Sequence, residues 1–534
     1  LGYFVLVRPD ASFAERFLNE AFGLADGAWR VANGQVPSVD FVSPYGAATY
    51  LPTAAGLLLD YSVGGALAFG HFLTAAFLLP LICLAARRRV STLPAMVLVV
   101  LAFLLVLAPV RLGGSYTDLT WGIDYTRQGW AGLAVVLLYY LEPRRIGRRD
   151  LWVDTVVLAL LLLFLFYLSM TFALVAGVFV IANAMTSGYK LRLGIAALAA
   201  CVAAITILET TSGYSSAHFT YLRDVFSGAA PSRLDIDGLI DLTLDHRLEI
   251  FLCYSGLAVV FAMGRRSLSD FLFVTGCLGA SLLLLDQSGQ TNRVLPGLVT
   301  VLIILAELAQ RRELGGTAPA GHSGWSRQIV SSLVLAMALS LTAQPSYAAA
   351  RGLWLHYEQL AEARYRGEPD LAGIYVPRLS VSPTADLHAV LGHDDEAHDQ
   401  LHVQRPPKLG TREYALLVEE GLKLLHSVPL EGKAVVTFEQ TSPFGVVLGL
   451  RPTATGYPLG SINPGSLERA EADGRLDREK LSERFFSDTD YVMVPELPHS
   501  AVQLDLMENL YGDYLDKNFR ELKRSSHWRL YERR

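Results

Sequence analysis

The sequence is poor in cysteine and poor in charge. Its 534 residues hold four cysteines, Cys83, Cys201, Cys253 and Cys277, all in apolar stretches, and none follows Cys277. That excludes a disulfide framework and a cysteine-ligated zinc site. Charged residues make up 18% of the chain, against about 25% in an ordinary soluble domain, so a purely soluble enzyme is excluded. Net charge is -6, which leaves no basic surplus for a general nucleic-acid binder. There is no Walker loop, no G-x-G-x-x-G after a strand and no G-x-S-x-G elbow, so neither a nucleotide donor nor a serine hydrolase is expected. No repeat period is visible, which excludes a solenoid.

What fills the chain instead is apolar: 52% hydrophobic residues and a mean hydropathy of +0.34. Runs long enough to cross a bilayer core, roughly 17–25 residues, are expected at Val63–Ala86, Thr92–Val110, Trp130–Leu141 (extending back to Arg127), Leu151–Leu168 and Thr171–Thr186. Others follow at Leu193–Leu208, Leu248–Met263, Asp270–Leu285, Leu295–Leu308 and Ile329–Thr342. Leu1–Val7 reads as the last turns of a further span, giving about eleven transmembrane helices. Basic clusters at Arg87–Arg89, Arg144–Arg149, Lys190–Arg192, Arg265–Arg266 and Arg311–Arg312 fall on every second connection. Short basic connections face the cytoplasm. The loops 8–61, 111–128, 209–247 and 286–294 then lie on the periplasmic or extracellular side, together with the tail 347–534. The expected architecture is a polytopic α-helical membrane domain, residues 1–346, followed by a soluble α/β domain. A multi-pass protein of a bacterial inner (plasma) membrane fits this pattern.

Within the tail, hydropathy drops and the periods alternate. Tyr414–Leu425 and Arg478–Phe486 have helical spacing, Val502–Leu522 reads as a long amphipathic helix, and Lys433–Phe438, Tyr491–Val494 and His527–Tyr531 read as strands.

The first long loop carries Asp26-Gly-Ala-Trp-Arg30-Val-Ala-Asn-Gly34-Gln-Val-Pro37-Ser-Val-Asp40-Phe-Val-Ser-Pro44-Tyr-Gly46. It places two carboxylates beside a membrane boundary, where a lowered dielectric raises a carboxyl toward a general base's working range. Helix capping by Asp26 and an Asx-type turn at Asp40 are the plain alternatives. The pattern D-G-x-W-R-x-x-N-G-Q-x-P-x-x-D-F-x-S-P-x-G before an apolar helix resembles the first external loop of the GT-C-fold glycosyltransferases, among them aminoarabinose transferases and protein mannosyltransferases. The resemblance implies a GT-C-like fold, a polyprenyl-phosphate sugar donor and an acidic residue acting on the acceptor hydroxyl. It matches Asp26 to that acid, with Asp40 a second acidic position. The adjacent acidic pair of many members is absent, because Gly27 follows Asp26, and the base lies between the two aspartates. The implied reaction is inverting transfer to an extracytoplasmic glycan, lipid or protein. A lipid-linked glycan transporter or a non-catalytic scaffold of an envelope polysaccharide assembly complex is the alternative.

A departing lipid phosphate needs cations or donors aimed at it. Asp124-Tyr125-Thr-Arg127 enters a span, and Asn292-Arg293 closes a polar loop between two spans. Arg127 and Arg293 each offer a planar fork for phosphate, and each has a bland reading as a snorkelling or turn residue. Arg30 either neutralises Asp26 or touches phosphate. His71 lies within a span, where a neutral, hydrogen-bonded histidine is the plainer reading. His393, His398 and His402 have partial metal-ligand spacing but lack the H-E-x-x-H order. No metal site is expected and no cofactor is implied with certainty; a divalent metal is a minor alternative.

Overall fold

Apolar segments in a bilayer must satisfy their own backbone groups, and helices do so within one segment. A computed structural model of the chain describes residues 6–43, 45–110, 114–122, 124–145, 147–228, 236–262, 267–288, 295–311, 324–366, 370–377, 409–439, 441–454, 477–499 and 501–534. Its helices run α1 (Leu18–Ala32), α2 (Ala47–Leu58), α3 (Val63–Arg89), α4 (Thr92–Leu107), α5 (Asp124–Leu137), α6 (Arg148–Leu168) and α7 (Met170–Ala184). They continue as α8 (Gly188–Ser212), α9 (Tyr214–Gly228), α10 (Ile236–Asp245), α11 (Arg247–Ala262), α12 (Leu268–Ser288), α13 (Pro296–Gln310) and α14 (Gly324–Arg366). Among the described residues α3, α6, α8, α12 and α14 are long and apolar enough to cross a membrane, and α4, α7 and α13 are shorter apolar helices. The chain is a multi-pass membrane protein.

The described basic residues at Arg88, Arg89, Arg144, Lys190 and Arg311 gather at one end; Arg265, Arg266 and Arg312 lie outside the described residues. Arg89 and Arg88 both reach the Asp154 carboxylate, at 2.5 and 2.9 Å. The Tyr189 hydroxyl donates to the same group at 2.6 Å. Arg144 pairs with Glu307 at 2.8 Å, and Glu307 accepts the Ser91 N–H at 2.8 Å. Arg311 joins the two groups, pairing with Glu307 at 3.4 Å and donating to the Arg89 carbonyl, so one largely buried network ties α3, α6, α8 and α13 to the N-terminus of α4. Removing one partner from such a network leaves an uncompensated buried charge, costing about 3–5 kcal/mol.

The opposite end carries the long connections, and these are structured. The loop 8–61 contains α1 and α2, and the connection 209–247 contains α9 and α10. The expected domain border at residue 346 is crossed by α14, a single helix that runs on to Arg366. A further tie joins the start of the first loop to the segment just after α14: strand β1 (Ser12–Phe13) pairs in parallel with β3 (Ile374–Tyr375), which pairs antiparallel with β2 (Asp370–Leu371). Gly373 takes φ +85°, and its carbonyl would lie 2.0 Å from a Cβ on Gly64, so this turn sits directly on the first turn of α3.

The tail holds a mixed four-stranded sheet, β4 (Val435–Thr437), β5 (Tyr491–Pro495), β7 (Trp528–Arg533) and β6 (Phe519–Arg524) in spatial order. Alternation sends Val492 and Val494 to a core with Phe438, Phe485 and Tyr511, while Tyr491 and Met493 join the main core with Tyr414 and Phe444. The sheet is therefore covered by its own helices on one face and by helix Thr411–Leu425 on the other. The long helix expected to reach Leu522 ends at Asn518. Phe519–Arg524 pairs with Trp528–Arg533 instead, because tertiary strand pairing overrides local helix propensity.

Candidate functional site

The first-loop carboxylate Asp26 sits in the third turn of α1 rather than at a cap. α1 is wrapped on several sides, so Asp26 and Arg30 are both only 2% exposed. At i and i+4 they meet on one helical face, Arg30 Nε to Asp26 Oδ2 at 3.0 Å. Burial raises the Asp26 carboxyl above its ordinary range, against the pull of the Arg30 charge and hydrogen bond.

The tail roofs this pair. Arg30 Nη1 donates to the Thr453 carbonyl at 2.8 Å, and the Gln35 amide donates to the same oxygen at 2.9 Å. From the residue just before Arg30, the Trp29 indole N–H donates to the Leu450 carbonyl at 2.8 Å. Phe22 meets the Tyr414 ring at 6.5 Å. The Arg30 guanidinium also lies over the Phe41 ring, 5.5 Å from its centre. One face of α1 is thus clamped between the loop that follows it and the tail.

The Asp40 carboxylate accepts the Val36 N–H, four residues before it, at 2.6 Å, and so closes the Val36–Asp40 turn from behind; an Asx-type turn would instead accept an N–H two residues further on. The neighbouring Ser38, at φ +63°, contacts His218 Nδ1 of α9 at 2.9 Å. Burial pushes the His218 imidazole down to about 4. The Tyr214 hydroxyl, also on α9, accepts the Ala47 N–H that opens α2.

Of the second-loop residues, Tyr125 is brought to the first loop, its ring 4.9 Å from that of Tyr45. The Asp124 side chain lies outside the described residues. Arg127 is buried and donates to the Val110 carbonyl at 2.9 Å, facing a crevice lined by Leu101, Leu105 and Pro345. Asn292, Arg293, His393, His398 and His402 lie outside the described residues. His71 packs on Trp121 at 4.9 Å. Among the described residues no group of three histidines, cysteines or carboxylates could hold a metal ion.

Sequence reasoning missed the tail's share. Thr453 carries no chemical signature. Glu439 directly follows the KAVVTF strand run, and that adjacency is the one signal in the sequence that points to it. Its carboxylate accepts the His499 N–H at 2.7 Å, and burial pushes it up to about 7.

No model of a known protein family matches the chain, and no curated protein matches it in sequence. Among solved structures, ArnT from Cupriavidus metallidurans, in a crystal structure bound to undecaprenyl phosphate, aligns with 99% of this chain and 96% of its own. The identity is 12% and the TM-score 0.43. The functional reading therefore rests on the residues themselves.

Proposed function

We propose that the protein is an integral membrane glycosyltransferase that moves a sugar from a polyprenyl-phosphate donor to an acceptor hydroxyl on the side of the membrane bearing the tail. The observation that carries this reading is the desolvated Asp26 carboxylate beside Arg30, on a helix built from the D-G-x-W-R-x-x-N-G-Q pattern. By the positive-inside rule the Arg89–Asp154 end is cytoplasmic, and α1 and the tail are extracytoplasmic.

Asp26 takes the proton of the acceptor hydroxyl as its oxygen attacks the anomeric carbon. The bond from that carbon to the phosphate oxygen breaks, the lipid phosphate leaves with the bonding pair, and the centre inverts. Arg127 or Arg293 stabilises the departing phosphate, and Tyr125 and Asn292 contribute to recognition of the donor. In the arrangement described, Arg30 and the Thr453 segment cover Asp26, so substrate entry requires that segment to move off α1.

The test is transfer by purified protein from a panel of polyprenyl-phosphate sugars, comparing Asp26→Asn, Asp40→Asn, Arg127→Gln and Arg293→Gln. Loss of about 100-fold or more in Asp26→Asn, the scale of a general base, in protein that is lowered in unfolding temperature but still fully folded at the assay temperature, supports the assignment. Full activity in both aspartate variants, or no reaction with any donor, overturns it. A second reading draws on the Arg30–Thr453 bond: the Asp26–Arg30 pair is a structural clamp in a non-catalytic envelope scaffold. That reading expects Asp26→Asn to loosen the tail in a protein that transfers no sugar.

A further inference from the structure

A second feature lies away from Asp26, where the far end of α4 meets the continuation of α14. A groove of about 870 Å³ runs there, walled by Phe103, Leu104 and Leu107 of α4 and by Leu353, Trp354 and Tyr357 of α14. Ala350, Leu353, Trp354, Tyr357, Ala361 and Arg364 fall at helical spacing, so α14 presents one continuous face to it. Trp354 is 55% and Tyr357 46% exposed. Large aromatic rings left open beside apolar walls are the residues that settle at the headgroup level of a bilayer.

Among its described lining residues the groove also has charge of one sign. Arg8 and Arg364 line it, both exposed, and no acidic side chain is among its described lining residues. Arg364 donates to the Pro9 carbonyl and lies over the Tyr375 ring, so its guanidinium is held at the rim. The backing is rigid: Ala11, Phe13, Val110, Leu119, Leu360 and Ala363 form a buried cluster behind the wall, and the Trp121 indole N–H donates to the Phe13 carbonyl at 3.0 Å.

We infer that this groove binds an anionic phospholipid drawn from the surrounding leaflet. An acyl chain lies between Phe103, Leu107 and Leu353, and the phosphate lies at Arg8 and Arg364. Apolar walls alone would accept any lipid. The two guanidiniums select for net negative charge, because a zwitterionic headgroup brings its own cation to the same rim. The inference does not rest on the glycosyltransferase reading, since binding is measured without turnover.

The test uses the full chain in detergent micelles, titrated with dioleoylphosphatidylglycerol or dioleoylphosphatidylcholine and read as lipid adducts by native mass spectrometry. Two basic groups at an anionic headgroup predict a preference of about 30-fold for phosphatidylglycerol. The double variant Arg8→Gln/Arg364→Gln is expected to lose that preference, and Arg351→Gln, outside the groove and paired with Glu358, to keep it. Ala361→Trp fills the groove with both arginines in place, and is expected to remove the adducts; it decides the matter if the double variant misfolds. Equal binding of the two lipids, retention of the preference in the double variant, or undiminished adducts in Ala361→Trp overturns the inference. Displacement of phosphatidylglycerol by inorganic phosphate alone also overturns it, by making the site one for free phosphate.

Discussion

Glu439 gives the most direct test of how the tail is held. Its carboxylate is 3% exposed, accepts the His499 N–H and is hydrogen-bonded by Tyr414, whose ring also packs on Phe22 of α1. Burial raises its pKa from 4.5 to about 7. The folded protein therefore keeps a proton that the unfolded chain releases, and stability falls as pH rises. The contribution is fully present below about pH 4.5 and is lost as pH passes through about 7. At 1.36 kcal/mol per unit, the loss is about 3 kcal/mol, or two to three orders of magnitude in the opening equilibrium. His218 works the other way: its pKa is lowered to about 4, so its contribution grows as pH rises toward the ordinary histidine range. A single profile mixes the two, and comparison with Glu439→Gln separates them, because glutamine keeps the acceptor for His499 and cannot ionise. Hydrogen exchange of β4 and β5 peptides in the full chain is the readout. At pH 5 the two proteins should exchange nearly alike; at pH 8 the wild type should open far more often. Parallel behaviour at both pH values would refute the burial argument.

Two further outcomes follow from the packing. Asp154→Ala leaves Arg88 and Arg89 facing an empty buried site, and should lower stability by about 3–5 kcal/mol, seen as a lower unfolding temperature in detergent. Gly46→Ala would bring a Cβ to 2.0 Å from the Tyr167 carbonyl. Backbone cannot yield there, so α2 must shift from the end of α6, and protease cleavage between α1 and α2 should speed up without any change at the Asp154 end.

Of the roughly eleven expected spans, two, at α5 and α11, are not among the apolar helices of membrane-crossing character in the described residues. Those at α3, α4, α6, α7, α8, α12, α13 and α14 were legible as apolar helices, because their signal is local: apolar length and basic flanks need no partner to be read. The tail strands at Val435–Thr437 and Tyr491–Pro495 were legible for the same reason. The end of the helix at Asn518 was not, since Phe519–Arg524 becomes a strand only by pairing with Trp528–Arg533. The continuation of α14 past Ser346 was hidden by falling hydropathy, which marks where apolar surroundings end and not where a helix ends. At the site, Asp26 and Arg30 could be read from their spacing, but their common roof could not. Thr453, Leu450 and Tyr414 lie about four hundred residues downstream, and nothing in a threonine or a leucine carbonyl announces a partner at that separation.

That roof makes the Asp26–Arg30 pair a test of both functional readings. Arg30→Gln leaves the Asp26 carboxylate buried without its charge partner, so its pKa climbs further and a smaller share of the group is ionised at any given pH. If Asp26 is the base, transfer falls with the aspartate still present and recovers as pH is raised, because alkali restores the carboxylate. Asp26→Asn/Arg30→Gln removes both charges, and should regain much of the stability lost in Arg30→Gln, since replacing a buried pair costs less than breaking it. It should regain no activity at any pH. The two variants therefore separate what a clamp and a base each require: a clamp predicts that stability and function return together in the double variant, and a base predicts that stability returns alone.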